Sequence, residues 1–332
     1  MRRTAVITAL AYLSLCQLAQ AQVPFVSDDR ALTTWSGNSI KDVSVETKFY
    51  GGVLGYRGPG LVNVWAVGAM DWPLADPYTG TPPGAVSAGF DVVDLRGWTI
   101  GFAASGTYAH AALTSNGSAL VSGVAGTLYA SYDRGVGNGE VILTAQATID
   151  DLNTDFKRNQ LIGAALLPNQ ANVDSLAWLP SAQVAYEFTE VYFFHGPELG
   201  IQSVVTTVDA FNEAGNAASR HFTDQSAVNS TGYMGYFAKF DFLNLQPFAE
   251  VKASYRLSIS GSTVQSQLTS GGPTASFTSV NVTTPFWTFD SEIGTRVFVT
   301  PALTAFVAWS EDYNHHLGPT EHQALLGASY AF

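Results

Sequence analysis

The chain has 332 residues, and its 27 acidic against 15 basic side chains leave a net charge of −12, which excludes the proteins that grip nucleic acid through a basic face. Only 13% of residues are charged while 46% are hydrophobic and 12% aromatic, yet no apolar run reaches the roughly 20 residues of a membrane-crossing helix. A soluble sheet protein would carry more surface charge, whereas a barrel with an apolar outer face and a polar inner face averages to this mixture.

At the amino terminus, Met1-Arg2-Arg3, an apolar stretch over residues 5–15 and then Ala19-Gln20-Ala21 predict a signal peptide over residues 1–21, cleaved after Ala21. Cys16, the one cysteine, lies inside it behind Leu15, where a lipoprotein site would have a small residue. The mature chain is then expected to hold no disulfide and no thiolate-bound metal. Residues 22–60 carry Asp28, Asp29, Arg30, Lys41, Asp42, Glu46 and Lys48 around a brief alternation at Val43, Val45, Thr47 and Phe49. They read as a linker or a plug threaded through a pore, ended by Gly58-Pro59-Gly60.

From 61 to 332 the chain alternates in extended segments separated by two kinds of connection. Short ones fall at 94–97, 133–139, 189–190, 244 and 300–301; long ones span 73–84, 112–118, 156–174, 209–225, 261–284 and 315–321. Strict alternation of short and long is the layout of an outer-membrane barrel, with tight periplasmic turns and longer external loops, and it predicts an all-β transmembrane antiparallel barrel of about twelve strands.

The segments have the two-residue period this demands. Val141, Leu143, Ala145, Ala147 and Ile149 interleave with Thr144, Gln146, Thr148 and Asp150; Ala249, Val251, Ala253, Tyr255, Leu257 and Ile259 with Glu250, Lys252, Ser254, Arg256 and Ser258; Trp287, Phe289, Ile293 and Val297 with Asp290, Glu292 and Arg296. Charges of both signs on the hidden face predict a lumenal charge network of Glu198, Glu250, Lys252, Arg256, Glu292 and Arg296. It would either cross-link the wall or set channel selectivity and grip a pore segment. Trp98, Tyr132, Tyr186, Tyr192, Phe194, Phe240, Phe242, Phe248, Phe298 and Phe332 cluster beside the short turns and predict an interfacial girdle. The last strand ends ALLGASYAF, with Leu326, Tyr330 and the terminal Phe332 on one apolar face.

Catalytic and metal-binding arrangements are weak. His221 near Glu213 and Asp224 could form a hydrolytic group at an external loop, and Glu311, Asp312, His315, His316, Glu321 and His322 could surround a divalent cation. Their spacing matches no established motif, and solvated loops account for both. No catalytic residue, metal or cofactor is expected.

Several stretches resemble the autotransporter β-domain, the translocator of type V secretion: YASYDRG at 129–135, IDDLNTDFKRN at 149–159, GPELGIQSVVTTVDAFNEAG at 196–215, QPFAEVKASYRL at 246–257 and HQALLGASYAF at 322–332. The tract around Asp155-Phe156-Lys157-Arg158 is similar to barrels of GDSL-type esterase autotransporters, but no GDSL block is present and their activity is not carried over. The resemblance implies a twelve-stranded barrel in the Gram-negative outer membrane, with Leu326, Tyr330 and Phe332 as the C-terminal assembly signal. Its implied partners are outer-membrane lipid and lipopolysaccharide, the barrel-assembly machinery and periplasmic chaperones, and no nucleic acid. Residues 22–59 are too few for a passenger domain. The expected role is therefore a membrane scaffold, translocator or small channel, with a barrel hydrolase, a passive porin or a surface adhesin as alternatives.

Overall fold

The structure, a computed structural model, describes residues 62–73, 84–93, 97–112, 117–162, 165–270, 274–278, 287–314 and 318–332. The expected leader, and the linker or plug over 22–60, lie outside the described residues. Twelve antiparallel strands close a barrel: β1 (Val62–Pro73), β2 (Gly84–Val93), β3 (Trp98–Ala112), β4 (Ser118–Val136), β5 (Gly139–Ile162), β6 (Ala165–Thr189), β7 (Phe193–Val208), β10 (Gln225–Phe240), β11 (Leu245–Gly261), β14 (Trp287–Phe298), β15 (Leu303–Asn314) and β16 (Gly318–Ala331). Four short strands, β8 (Phe211–Asn212), β9 (Arg220–Phe222), β12 (Thr263–Leu268) and β13 (Ala275–Thr278), form a separate sheet in the order β13-β12-β9-β8. Strand β1 pairs with β16, and the Phe332 amide donates to the Val62 carbonyl at 2.8 Å, so both ends of the barrel meet at the rim of the short turns.

Alternation sets the two faces. Val124 is 71% and Leu326 68% exposed, while Thr127 and Leu325, on the other face, are buried. Aliphatic side chains bared to that degree all round a barrel are stable only against hydrocarbon. Trp98 and Tyr108, ten residues apart on β3, are both outward and half-exposed, as are Leu245 and Tyr255 on β11. Ten residues at about 3.3 Å, tilted by roughly 40°, give an apolar belt ~25 Å tall, the height expected of such barrels. Aromatic pairs mark its two edges: Trp98 with Tyr132 (4.8 Å between ring centres) near the short turns, and Tyr255 with Trp287 (4.8 Å) near the long connections.

Two expectations need correction. Phe194, Phe248 and Phe298 do not join the girdle; they fall on inward positions, and Phe248 is buried in the lumen. Proximity to a turn fixes an aromatic's height, and strand parity decides which way it faces. Nor is 156–174 a loop: β5 and β6 stay paired out to Ile162–Ala165. Beyond Ile149 and Leu176 the faces exchange chemistry. Outward positions become Asn153, Asp155, Asn172 and Asp174, joined by side-chain hydrogen bonds of 2.7–3.0 Å, while the inward face carries buried Leu152, Phe156, Ala171 and Val173. That inversion is where the wall leaves lipid for water.

Inside, the half of the lumen toward the short turns is lined by one contiguous buried cluster that includes Trp65, Tyr129, Ile142, Phe237, Phe248, Phe306 and Leu325, with buried polar groups such as Asp91, Glu187 and Arg296 set among them. Its aromatics lie against glycines. Trp65, Tyr129, Tyr233, Phe248 and Phe306 stand opposite Gly89, Gly101, Gly200, Gly294 and Gly327 on neighbouring strands. A β-carbon at Gly101 would lie 2.1 Å from the Tyr129 ring, and one at Gly294 2.3 Å from Phe248.

The belt assignment predicts that Leu128→Arg, near its middle and 61% exposed, destabilises the barrel by about 2–4 kcal/mol, whereas Asn153→Arg, above the inversion, costs about 0–1 kcal/mol. Reversible urea unfolding in lipid vesicles measures both, and equal costs would contradict the placement of the membrane.

Candidate functional site

Two polar assemblies stand out, one in the lumen wall and one at the end of the long connections. In the wall, the Lys252 ammonium contacts the Glu250 carboxylate and lies 3.5 Å from Glu198 Oε1. Glu198 in turn accepts a hydrogen bond from the Gln183 amide. The network thus runs from β6 through β7 to β11, passing over Gly235 of β10, where a β-carbon would lie 2.4 Å from Glu198 Oε1. Glycine supplies the bed on which the long side chains lie. The Tyr233 ring lies 5.6 Å from the ammonium.

Of the six expected network residues, Glu198, Glu250 and Lys252 are brought together. Glu292 faces the same lumen and stands opposite Glu250 in the β11–β14 register. Arg296 is apart from them: its guanidinium donates to Gln246 Oε1 at 2.7 Å and stacks 4.9 Å over Phe248, buried to 1% exposure. Arg256 lies further out, at the bulge beside Ser230 and Thr231. A second ion pair, Lys239 to Glu187 at 2.5 Å, lies outside the expected network. Both side chains sit on inward positions of strands that are not neighbours, so only the register of β7 between them reveals the pairing. Near the same rim Asp91 accepts from Asn63 (2.7 Å) and from the Tyr129 hydroxyl (3.2 Å), which itself accepts from the Trp65 indole (2.9 Å).

At the opposite end the four-stranded sheet forms a cap. Phe211, Phe222 and Val264 pack against Phe156, Ala171, Val173 and Val208 of the extended wall, so the cap leans on β5–β7. The VDAFNEAG stretch supplies the latch. Glu213 is fully buried and takes Arg158 through Nε at 2.5 Å and Nη2 at 2.7 Å, together with the Arg220 backbone N–H at 3.0 Å. Arg158 also lies 5.6 Å over Phe222. Gly215, at φ 146°, sits where a β-carbon would come 2.4 Å from the Pro168 carbonyl. A cleft of about 570 Å³ lies beside this latch, between Gly117, Lys157, Asn169 and Gly215.

The hydrolytic arrangement does not assemble. Glu213 is committed to Arg158, Asp224 accepts from the Ala210 amide at 2.8 Å, and the His221 ring bonds Asn212 at 2.8 Å. His315 and His316 lie outside the described residues. His322 is 4.0 Å from Glu311 and packs on Trp309. Among the described residues no group of three or more His, Cys, Asp or Glu side chains is placed to hold a metal ion. At the seam, Leu326, Tyr330 and Phe332 all face outward, and the last two rings meet edge to face at 4.8 Å.

The autotransporter beta-domain family matches residues 78–310. Among solved structures the chain is similar to the translocator domain of the autotransporter NalP from Neisseria meningitidis, with a TM-score of 0.67 at 14% identity, over 90% of this chain and 98% of that one. It is similar to the beta domain of the Bordetella autotransporter BrkA at a TM-score of 0.56 and 13% identity, over 82% and 100%. The Pseudomonas putida toluene transporter TodX follows at a TM-score of 0.50 and 10% identity, over 84% and 91%. At these identities the structural likeness shows the fold alone. No curated protein matches the chain in sequence.

The latch predicts that Glu213→Gln, which removes the counter-charge of the buried Arg158, costs the cap about 3–5 kcal/mol. Limited proteolysis of the folded protein should then cut within 209–225 while the barrel keeps its heat-modifiable gel mobility. Unchanged resistance of the cap would show that the pair does not hold it.

Proposed function

The chain belongs to the autotransporter β-domain family, and we propose that its barrel serves as a translocator in the Gram-negative outer membrane, a scaffold whose lumen admits an extended polypeptide and which catalyses no reaction. One observation carries this reading. Strand β1 begins beside Phe332, at the rim of the short periplasmic turns, so a segment leading into Val62 reaches the far side of the membrane only through the lumen. Residues 22–60 are the segment proposed to occupy it. They carry charges of both signs, Arg30, Lys41 and Lys48 beside Asp28, Asp29, Asp42 and Glu46, and so does the lumen, whose inward face carries Glu198, Glu250, Asp290 and Glu292 together with Lys239, Lys252 and Arg296.

The committed partners of Glu213 and Asp224 support a role without chemistry: neither carboxylate orients His221 as a general base would require. Lipid and lipopolysaccharide would meet the outer belt, and the barrel-assembly machinery and periplasmic chaperones would read Leu326, Tyr330 and Phe332 during insertion. A leader over residues 1–21 would deliver the chain to them.

Planar-bilayer recording tests the pore. Deleting residues 22–60 should raise single-channel conductance several-fold, and identical conductance with and without them would overturn the proposed occupancy. Assembly is tested separately. Phe332→Ser should lower the heat-modifiable fraction in the outer membrane by about tenfold, a loss of ~1.4 kcal/mol in an insertion equilibrium; wild-type levels would remove Phe332 from the signal.

A further inference from the structure

Among the described residues, the ladder between β6 and β7 is the one barrel seam whose pairing lapses without a change of register. It holds from Ser175–Val208 to Trp178–Val205, resumes at Ser181–Gln202, runs to Ala185–Glu198, and resumes again at Phe188–His195. No residue is inserted; what is missing is donors. Pro180 falls in the first gap, and Pro197 stands opposite Tyr186 in the second, and proline brings no N–H to a ladder. Each keeps its place on the far side, Pro180 opposite Ala147 of β5 and Pro197 opposite Tyr236 of β10. The weakness is therefore confined to the line between β6 and β7. In the second gap the Tyr186 carbonyl oxygen lies 1.7 Å from where a β-carbon on Gly196 would be, so only glycine fits there. Proline is ordinarily confined to sheet edges and bulges, and a closed barrel has no edges to offer.

On the lumen side, polar side chains bridge this same line. Gln183, between the gaps, donates to Glu198 of β7, which is 3.5 Å from Lys252 on β11. Glu187, inside the second gap, reaches past Gly196 to Lys239 on β10 at 2.5 Å. We propose that the β6–β7 seam is the line along which this barrel wall yields, and that these side-chain links hold it shut where the backbone ladder lapses. A wall that loosens along one line can widen its lumen while every other seam stays paired.

Amide hydrogen exchange of the full chain folded in lipid, read residue by residue, tests this. Amides directed across the β6–β7 seam should exchange about tenfold faster than those across the unbroken β4–β5 seam. Lys239→Met should speed exchange at β6–β7 by a further tenfold or so and leave β4–β5 unchanged, and Lys239→Arg should restore it. Should Lys239→Met fail to fold, the repaired double variant Pro180→Val with Pro197→Thr, whose side chains face lipid, should slow exchange at the seam toward that of β4–β5. Equal protection of the two seams in the unaltered protein would overturn the proposal. So would a Lys239→Met effect spread evenly round the barrel, or a repaired variant that exchanges no more slowly.

Discussion

A sheet in hydrocarbon cannot leave a row of backbone N–H and C=O groups unpaired, and the pairing of β1 with β16 is the contact that removes the last such row. Its register runs from Asn63–Ala331 out to Pro73–Glu321, so the first and last strands run the full height of the belt against each other. Much else follows from that closure. The two barrel ends share a rim, the strand number is even, and every long excursion emerges at the opposite end. With no edge left to satisfy, side chains are free to answer the remaining demand, which is to present hydrocarbon outward along a wall whose inner face holds carboxylates.

The inner face is built by one repeated device. Long side chains lie along the wall over a neighbouring glycine instead of standing on end. Trp65 over Gly89, Tyr129 over Gly101 and Phe306 over Gly327 do this with rings, and the Glu198–Lys252 contact does it over Gly235 with charges. Glycine in a strand is ordinarily a weakness, and covering it with an aromatic returns both packing and shielding to the exposed ladder. The arrangement also explains how buried ions are tolerated. Lying flat brings Lys252 between two carboxylates and lets Gln183 satisfy one of them, so the desolvation of each charge is offset by a partner.

Much of this was legible in the sequence because lipid imposes a local rule. Val141 to Ile149 and the final ALLGASYAF carry the two-residue period in themselves, and the short connections declare themselves by Gly, Asn and Pro. Where the solvent changes, the same rule misleads. Asn172 and Asp174 read as loop because they are polar on the face that had been greasy, yet they pair beside Asn153 and Asp155 and the strands continue into water with the faces exchanged. The aromatic girdle misleads for a related reason, since Phe248 and Phe298 have the right height and the wrong parity. The site residues were harder still. Lys252 and Glu250 are two apart on one strand and could be paired by eye, but Lys239 and Glu187 meet only because β7 sets their relative height. Glu213 stands out in its motif and lies near His221 in the sequence, but its buried partner Arg158 comes from a hairpin 55 positions away.

The two ends of the lumen are thus built by unlike means. Toward the periplasm the apolar cluster of Trp65, Tyr129, Phe237, Phe248 and Phe306 is held by contact among wall side chains, which can shift by rotamer changes without disturbing a single ladder hydrogen bond. At the far end the cap is a small sheet with its own pairing, tied to the wall through a few apolar contacts and one dry ion pair. Opening it means moving a body rather than repacking side chains. A chain passing outward on the proposed route would pass the apolar cluster first, then the carboxylates of Glu198, Glu250 and Glu292, and the cap last. Such an order favours segments carrying positive charge, because they gain attraction in the middle of the passage before they reach the cap.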